Sequence, residues 1–214
     1  MGYRYVPSGM EVADAFAPPA SKGRPREFDC DVALAAALRI FWRYGYEGAS
    51  MTMLTEAMGI AKPSLYAAFG NKEALFKKAL DLYERDKLAY VNAALEAPTC
   101  RQVAERLLTG ALELQTSGCE PKGCMAMAAV ACGPEAESIR DEVLIRRTSS
   151  MAALVARLER GRAEGDLPDR IEPTGLASYL VALMQGLSAQ AAAGAGAAEL
   201  ASLVETSLRM WPEK

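Results

Sequence analysis

The sequence of 214 residues predicts an all-α protein, and two observations support this prediction. Apolar side chains recur at intervals of three and four residues over most of the chain after residue 30, which places them on one face of a helix. No run of alternating apolar and polar residues, bounded by turn residues, indicates a β-strand. The chain is therefore expected to fold as a series of helices joined by short turns.

The first helix is predicted by an apolar stripe that runs from Val32 to Tyr44. Asp29 or Asp31 can cap its start, because a carboxylate accepts hydrogen bonds from the free N–H groups of the first turn. Gly45 suits the left-handed residue that follows a helix end.

Two short helices are expected next. Ser50 can cap the second helix with its hydroxyl, and Gly59 ends it. The third helix spans residues 62–68, where Pro63 is tolerated because it falls in the first turn. The side chains expected to pack this unit are Leu54, Ala57, Met58, Ile60, Leu65 and Phe69.

The remaining pattern is helical to the end of the chain. Asn71 is expected to cap a fourth helix that extends to about Ala93 and joins the two halves of the protein. Further helices are predicted over residues 103–115, 125–131, 134–163 and 174–193, and a last helix carries Trp211. The uncharged stretch from residue 173 to 198 is long enough to cross a bilayer, but its glutamines, serine and many small residues favour a buried helix.

Composition and charge exclude several classes of functional site and indicate a division of the chain. The chain contains no histidine, which excludes Ser-His-Asp and Cys-His nucleophile systems and His-ligated metal sites, so we expect no enzyme and no cofactor. The net charge of −3 is unevenly distributed. Residues 22–85 carry ten basic and eight acidic side chains, whereas residues 86–214 carry 13 and 17. This sign change predicts one domain at 22–86 and a second at 87–214. Residues 1–21 contain three prolines and no sustained periodicity, so we expect a flexible extension there.

The segment from Ser50 to Leu75 predicts a helix-turn-helix. In such a unit, the second helix crosses over the third, so that the third presents its polar face to a major groove. An ordinary helical hairpin in a bundle would give a similar glycine turn. The shortness of the third helix and an exposed Tyr66 flanked by lysines favour a surface that meets phosphates.

The same segment resembles the DNA-binding domain of the TetR family of bacterial transcriptional regulators. The resemblance rests on GYEGAS at residues 45–50, AMGIAKPSLYAAF at 57–69 and NKEAL at 71–75, and it covers about residues 26–86 without gaps. It implies that residues 62–67 lie on a recognition helix and that Tyr66 and Lys72 hold phosphates. The pattern departs from the family at Ala61, where a Ser or Thr often caps the recognition helix, and at Ala68, where an aromatic residue or histidine is common.

A short basic arm precedes the first helix. It can lie on phosphates or in a minor groove, or it is a solvated linker with incidental charge. The complete set of candidate DNA contacts is Lys22, Arg24, Arg26, Ser50, Thr52, Lys62, Pro63, Ser64, Tyr66, Ala67 and Lys72.

The acidic C-terminal domain is expected to bind an effector and to form the dimer, as the resemblance implies. Its last two helices offer small and large apolar residues for an interface, although the same residues would also suit an intramolecular core. The interface candidates are Ala182, Leu183, Gly186, Leu187, Ala189, Leu203, Leu208 and Trp211. Methionines and a tyrosine suit a deformable apolar pocket, whose candidate residues are Leu108, Leu112, Met125, Met127, Met151, Leu154, Tyr179 and Met184.

Five cysteines, an odd number without a signal-peptide pattern, indicate reduced thiols in a cytoplasmic protein. Cys119, Cys124 and Cys132 lack the C-x2-C spacing of zinc sites, so no metal is expected. Lys122 could favour a thiolate nearby, which leaves redox or electrophile sensing as a second hypothesis.

The sequence therefore predicts a homodimeric transcriptional regulator, most simply a repressor, that leaves a near-palindromic DNA operator when a small molecule binds. The alternatives are a helical adaptor that binds protein, a thiol-based redox-responsive regulator, and an enzyme built around an apolar pocket. No membrane partner is expected.

Overall fold

The computed structural model describes residues 28–118, 120–130, 133 and 136–212, and over these residues the protein is helical, with no β-strand. The all-α prediction is thereby confirmed. The ten described helices are α1 (Cys30–Gly48), α2 (Met51–Met58), α3 (Lys62–Phe69), α4 (Lys72–Lys87), α5 (Ala89–Leu95), α6 (Cys100–Thr116), α7 (Met125–Val130), α8 (Glu137–Ala163), α9 (Pro173–Ala192) and α10 (Ala197–Arg209).

The helix starts follow the local rules that the sequence suggested. The Asp29 carboxylate accepts hydrogen bonds from the N–H groups of Asp31 and Val32, so Asp29 rather than Asp31 caps α1. The Ser50 hydroxyl caps α2, and the Asn71 side chain caps α4. Each cap satisfies a donor that the first turn of a helix leaves free.

Four local predictions need correction. The last helix ends at Arg209, so Trp211 lies after it. The last turn of α1 continues to Gly48 past a break at Gly45, whose φ of 70° is left-handed. The fourth helix does not reach Ala93, because the backbone at Leu88 leaves helical geometry and separates α4 from α5. Ala57 is exposed, since α2 turns only the face of Leu54 and Met58 toward the core.

Two hydrophobic cores hold the helices together. The first contains the buried faces of α1–α4, and it also takes in Met125 and Ala129 from α7 and Ile139 and Val143 from α8. The second joins α6, α8, α9 and α10, with Leu158, Leu180 and Leu187 fully buried. Because α7 and the start of α8 pack on α1–α4, the N-terminal helices are not an isolated module.

A buried arginine joins α8 to the link between α5 and α6. Arg157 is only 5% exposed, and its guanidinium donates to the carbonyl oxygens of Leu95 at 3.1 Å, Ala97 at 2.7 Å and Pro98 at 3.1 Å. These carbonyls lie at the C-terminal end of α5, where a cation also opposes the negative end of the helix dipole. Arg157 therefore holds the link between α5 and α6 against α8.

The uncharged stretch forms most of α9. No described helix is both long and apolar enough to span a membrane.

Candidate DNA-binding surface and effector cavity

A tight turn sets α3 across α2. Gly59 adopts a left-handed φ of 65°, and its N–H bonds back to the end of α2. Leu65, fully buried, and Phe69 anchor one side of α3 in the first core. The opposite side of this short helix is therefore held toward solvent.

The outward face of α3 consists of residues that the sequence had selected. Lys62, Pro63 and Ala67 are exposed, Tyr66 is 47% exposed and Ser64 is partly buried. Lys62 makes no ion pair with any residue that the structure describes. On this face, the Lys62 ammonium and the Tyr66 phenol are both exposed and can donate hydrogen bonds to phosphate oxygens.

The start of α3 lacks a side-chain cap. Ala61 occupies the N-cap position in extended geometry, and no side chain accepts a hydrogen bond from the first turn. We expect Ala61→Ser to raise the free energy of unfolding by about 0.5–2 kcal/mol, because its hydroxyl would satisfy a free N–H. Urea denaturation measures the effect. Ala61→Val, which fills similar space without an acceptor, is the control, and an equal gain for Val would contradict the explanation.

The other DNA-contact candidates border this surface. Ser50 and Thr52 are exposed at the start of α2, although the Ser50 hydroxyl is already used as the cap. The Lys72 ammonium lies 4.7 Å from the centroid of the Tyr46 ring, a cation–π contact that restrains it at the start of α4. Lys22, Arg24 and Arg26 lie outside the described residues.

A cavity of about 740 Å³ lies between the helices from α4 to α9. Its volume is that of a small-molecule site, and its wall is mainly apolar. Of the eight side chains that the sequence proposed for a pocket, four line it: Met127, Met151, Leu154 and Met184.

The other four lie elsewhere. Leu108 and Met125 are each 1% exposed and belong to the packed cores, and Leu112 packs on the second core. Tyr179 points outward from α9 and is 44% exposed. The helical pattern showed that these positions are apolar but not which void or face they meet.

Several polar side chains in the cavity wall were missed. Tyr83, Tyr90, Gln115 and Cys124 all line it. Tyr83 belongs to the apolar stripe of α4, so periodicity assigns it to a core, and burial raises its pKa strongly. Burial also raises the pKa of Tyr90 to about 12, so both phenols keep their protons. No signal in the sequence brings these residues together.

The loop before α7 connects this cavity to α1. The Gln115 amide donates to the carbonyl oxygen of Gly123 at 3.1 Å and accepts from the N–H of Gly123 at 2.8 Å. The same carbonyl accepts a hydrogen bond from the Trp42 indole N–H at 3.0 Å. One peptide group is thus shared between the cavity wall and the helix that packs behind α2.

An ion-pair cluster marks one edge of the cavity. The Arg146 guanidinium contacts the carboxylates of Asp81 at 2.7 Å, Glu84 at 2.8 Å and Glu142 at 2.8 Å. Asp81 and Glu84 belong to α4, and Arg146 and Glu142 belong to α8. The cluster fixes α4 against α8, and the three carboxylates raise the pKa of Arg146.

The exposed face of α9 contains four of the eight predicted dimer residues. Ala182 and Ala189 are exposed and Leu183 and Gly186 partly so, and Tyr179 lies on the same face. From α10 and the residues after it, Leu203, Leu208 and Trp211 are partly buried against the second core. Leu187 is completely buried within its own chain, so it has no surface to offer a second subunit.

The described cysteines differ in their positions relative to the cavity. Cys124 lines the cavity, and Cys100 is buried against Arg157. Cys119 and Cys132 lie outside the described residues. Among the residues that the structure describes, no group of three or more metal-ligating side chains could hold a metal ion.

Comparisons with known proteins agree with this geometry. The family model "Bacterial regulatory proteins, tetR family" matches residues 33–79, which contain α2 and α3. The transcriptional repressor ComR of Escherichia coli (strain K12) is 35% identical over 90% of this chain and 93% of its own length. The repressor BdcR of the same organism is 30% identical over 80% of this chain and 83% of its own length. Cysteine mutants of CifR, a TetR family transcriptional regulator complexed with 26-base-pair operator DNA, are 42% identical; one covers 89% of this chain and 100% of its own, with a TM-score of 0.83.

Proposed function

Because the chain belongs to the TetR family of bacterial transcriptional regulators, we propose that it is a homodimeric repressor that a small-molecule effector releases from operator DNA. The exposed face of α3 carries the proposal. It combines an exposed lysine, a phenol and small side chains on a helix that is anchored in the first core. That cysteine mutants of the 42% identical CifR are complexed with operator DNA supports DNA binding by this chain.

The proposed contacts follow from exposure. Lys62 and Tyr66 hold phosphates, whereas Pro63, Ser64 and Ala67 approach the base edges. Ser50 and Thr52 approach the backbone from α2, and Lys72 does so from α4. The arm with Lys22, Arg24 and Arg26 adds sequence-independent attraction.

The exposed face of α9, with α10 beside it, is the proposed dimer interface. Its alanines and glycine let a symmetry-related helix approach closely, and Tyr179 adds buried area at the edge. A two-fold axis would place one α3 from each subunit on the DNA, which explains why a near-palindromic operator is expected. Residues 22–86 would then read DNA in the cytoplasm and residues 87–214 would sense and dimerise.

The effector is proposed to act through the shared peptide of Gly123. A molecule in the cavity that displaces Gln115 changes the hydrogen bond that the Gly123 carbonyl makes with Trp42. Since Trp42 belongs to α1, the shift alters the support of the helix-turn-helix. An effector that binds the altered arrangement better moves the population away from the DNA-binding form.

We expect Trp42→Phe to loosen this connection. Phenylalanine keeps a ring against Tyr83 but cannot donate to the Gly123 carbonyl, which retains Gln115 as a donor. The free energy of unfolding should fall by about 1 kcal/mol. Amide hydrogen exchange should accelerate in residues 120–124 more than in α3. Unchanged exchange in this loop would argue against the shared peptide as the connection.

A titration of labelled DNA tests the function. Fluorescence anisotropy with DNA from the region upstream of the protein's own gene should show saturable binding at low salt, with one dimer per site. Sedimentation of the complex gives the stoichiometry. Binding that an unrelated DNA of equal length matches in affinity would contradict the proposal, and binding to a protein partner alone would favour an adaptor.

A further inference from the structure

We infer that Cys124 is the sensing group of the cavity and that it captures an uncharged, apolar carbon electrophile of the α,β-unsaturated carbonyl class by a covalent bond. The inference rests on the proposed function, in which the cavity holds the effector. It is carried by three features that meet at one place: a thiol in the cavity wall, two phenols beside it, and a hydrogen-bonded loop that leads directly to α1.

The thiol and the phenols form a cluster on the cavity wall. Cys124, Tyr83 and Tyr90 all line the cavity. Burial, and after it the nearby Cys124 sulfur, raise the pKa of both the Tyr83 and the Tyr90 phenol, so the three side chains lie close together. The Tyr90 hydroxyl makes no hydrogen bond with any residue that the structure describes. It is therefore a donor in the cavity wall that none of the described residues accepts from.

Contact with α6 fixes the position of the Tyr90 ring. Its ring lies directly against Gly110 of α6, so closely that a Cβ added there would fall 2.2 Å from a ring carbon. The glycine thus lets the ring fill this space and sets the direction of the hydroxyl. A donor held in place before a ligand arrives stabilises developing charge without the cost of reorganisation.

The other described cysteines are less suited to this chemistry. Cys100 is fully buried, and burial together with the Asp166 carboxylate raises the pKa of its thiol to about 11. It does not line the cavity. Cys30 lies at the start of α1, also outside the cavity. Cys124 therefore combines a cavity position with access for a small apolar molecule.

The reaction is an addition and needs no oxidant. The Cys124 sulfur bonds to the β-carbon of the electrophile, and the electron pair of the carbon–carbon double bond moves toward the carbonyl oxygen. Tyr90 donates a hydrogen bond to that oxygen while its negative charge develops. The proton that the thiol loses ends on the α-carbon, so all atoms of both reactants remain in the adduct.

The adduct is adjacent to the proposed connection with α1. Cys124 follows Gly123, whose carbonyl accepts from both Gln115 and Trp42. Gly123 has a φ of 94°, a backbone state reserved in practice for glycine. A carbon chain on the neighbouring sulfur must occupy the cavity beside Gln115, and the peptide of Gly123 is the first group that it displaces.

The test uses 2-cyclohexen-1-one as the probe on the full chain. Intact-mass spectrometry at a small excess should show one added probe molecule on the wild-type protein, and peptide mapping should place it on Cys124. Cys124→Ser should stay unmodified, whereas Cys100→Ser, the matched control, should react like the wild type. Tyr90→Phe should slow the reaction about fivefold or more with the same final stoichiometry, because the hydroxyl would stabilise the transition state.

The same samples are titrated with the upstream DNA. The wild-type adduct should bind about 5–150 times more weakly than the untreated protein, whereas Cys124→Ser should be insensitive to the probe. Modification at Cys119, Cys132 or Cys30 alone, or an adduct on Cys124 that leaves DNA affinity unchanged, would overturn the inference. Failure of the untreated protein to bind DNA would instead refute the proposed function. Cys124→Ala replaces the serine variant if the latter unfolds.

Discussion

Replacing Lys62 and Tyr66 together by alanine is expected to weaken operator binding about a thousandfold. Both side chains project from the exposed face of α3, and neither belongs to the buried side that holds the helix. A dimer would lose two contacts in each subunit. At about 1 kcal/mol for each of the four, the loss amounts to about 4 kcal/mol.

The salt dependence of binding separates the two side chains. If Lys62 neutralises one phosphate in each subunit, Lys62→Ala should reduce the slope of log K against log salt by about two. Tyr66→Ala, which removes no charge, should leave that slope unchanged. Arg101→Ala is the matched control, because it removes an exposed cation from α6, away from α3. An equal loss of affinity in that control would show that general charge, and not this face, determines binding.

Arg157→Met is expected to lower the free energy of unfolding by about 3–4 kcal/mol. Methionine fills a similar volume, but it leaves the buried carbonyls of Leu95, Ala97 and Pro98 without their donor. An unsatisfied buried acceptor costs about 1–3 kcal/mol, and partial relaxation of the loop reduces the sum. The measurement is chemical denaturation at pH 7, followed by circular dichroism.

The matched control for this variant is Arg160→Met on the same helix. The Arg160 guanidinium lies 4.0 Å from the Glu164 carboxylate, and both side chains are more than half exposed. An exposed pair of this kind contributes at most about 1 kcal/mol. Equal destabilisation by the two substitutions would mean that the carbonyl contacts of Arg157 do not account for its effect.

Features that depend on near neighbours could be predicted from the sequence. Ser50 and Asn71 cap helices because a short polar side chain can reach the first turn only from that position. Gly59 ends α2 because its left-handed backbone is unfavourable for other residues. The outward face of α3 could also be predicted. Leu65 and Phe69, four residues apart, lie on the buried side of the helix, so the opposite side faces solvent.

The pattern of apolar residues predicted less well which core, cavity or surface each side chain meets. Periodicity shows which face of a helix is apolar. That face can pack in a core, line a cavity or contact another subunit. Met125 and Leu108 belong to cores and Tyr179 faces outward, whereas Leu154 and three methionines other than Met125 line the cavity. Leu187 shows the same limit, because the stripe that suggested a subunit interface is used inside the chain.

The order of residues by itself determined an all-α chain, three helix caps and a TetR-type helix-turn-helix, because these depend on contacts within one or two turns. Only the tertiary structure placed Tyr83, Tyr90, Gln115 and Cys124 around one cavity, since they come from four different segments. It also decided that Gly123 connects that cavity to Trp42, 81 residues away in the chain. Such long-range contacts depend on how whole helices pack, and no local pattern encodes them.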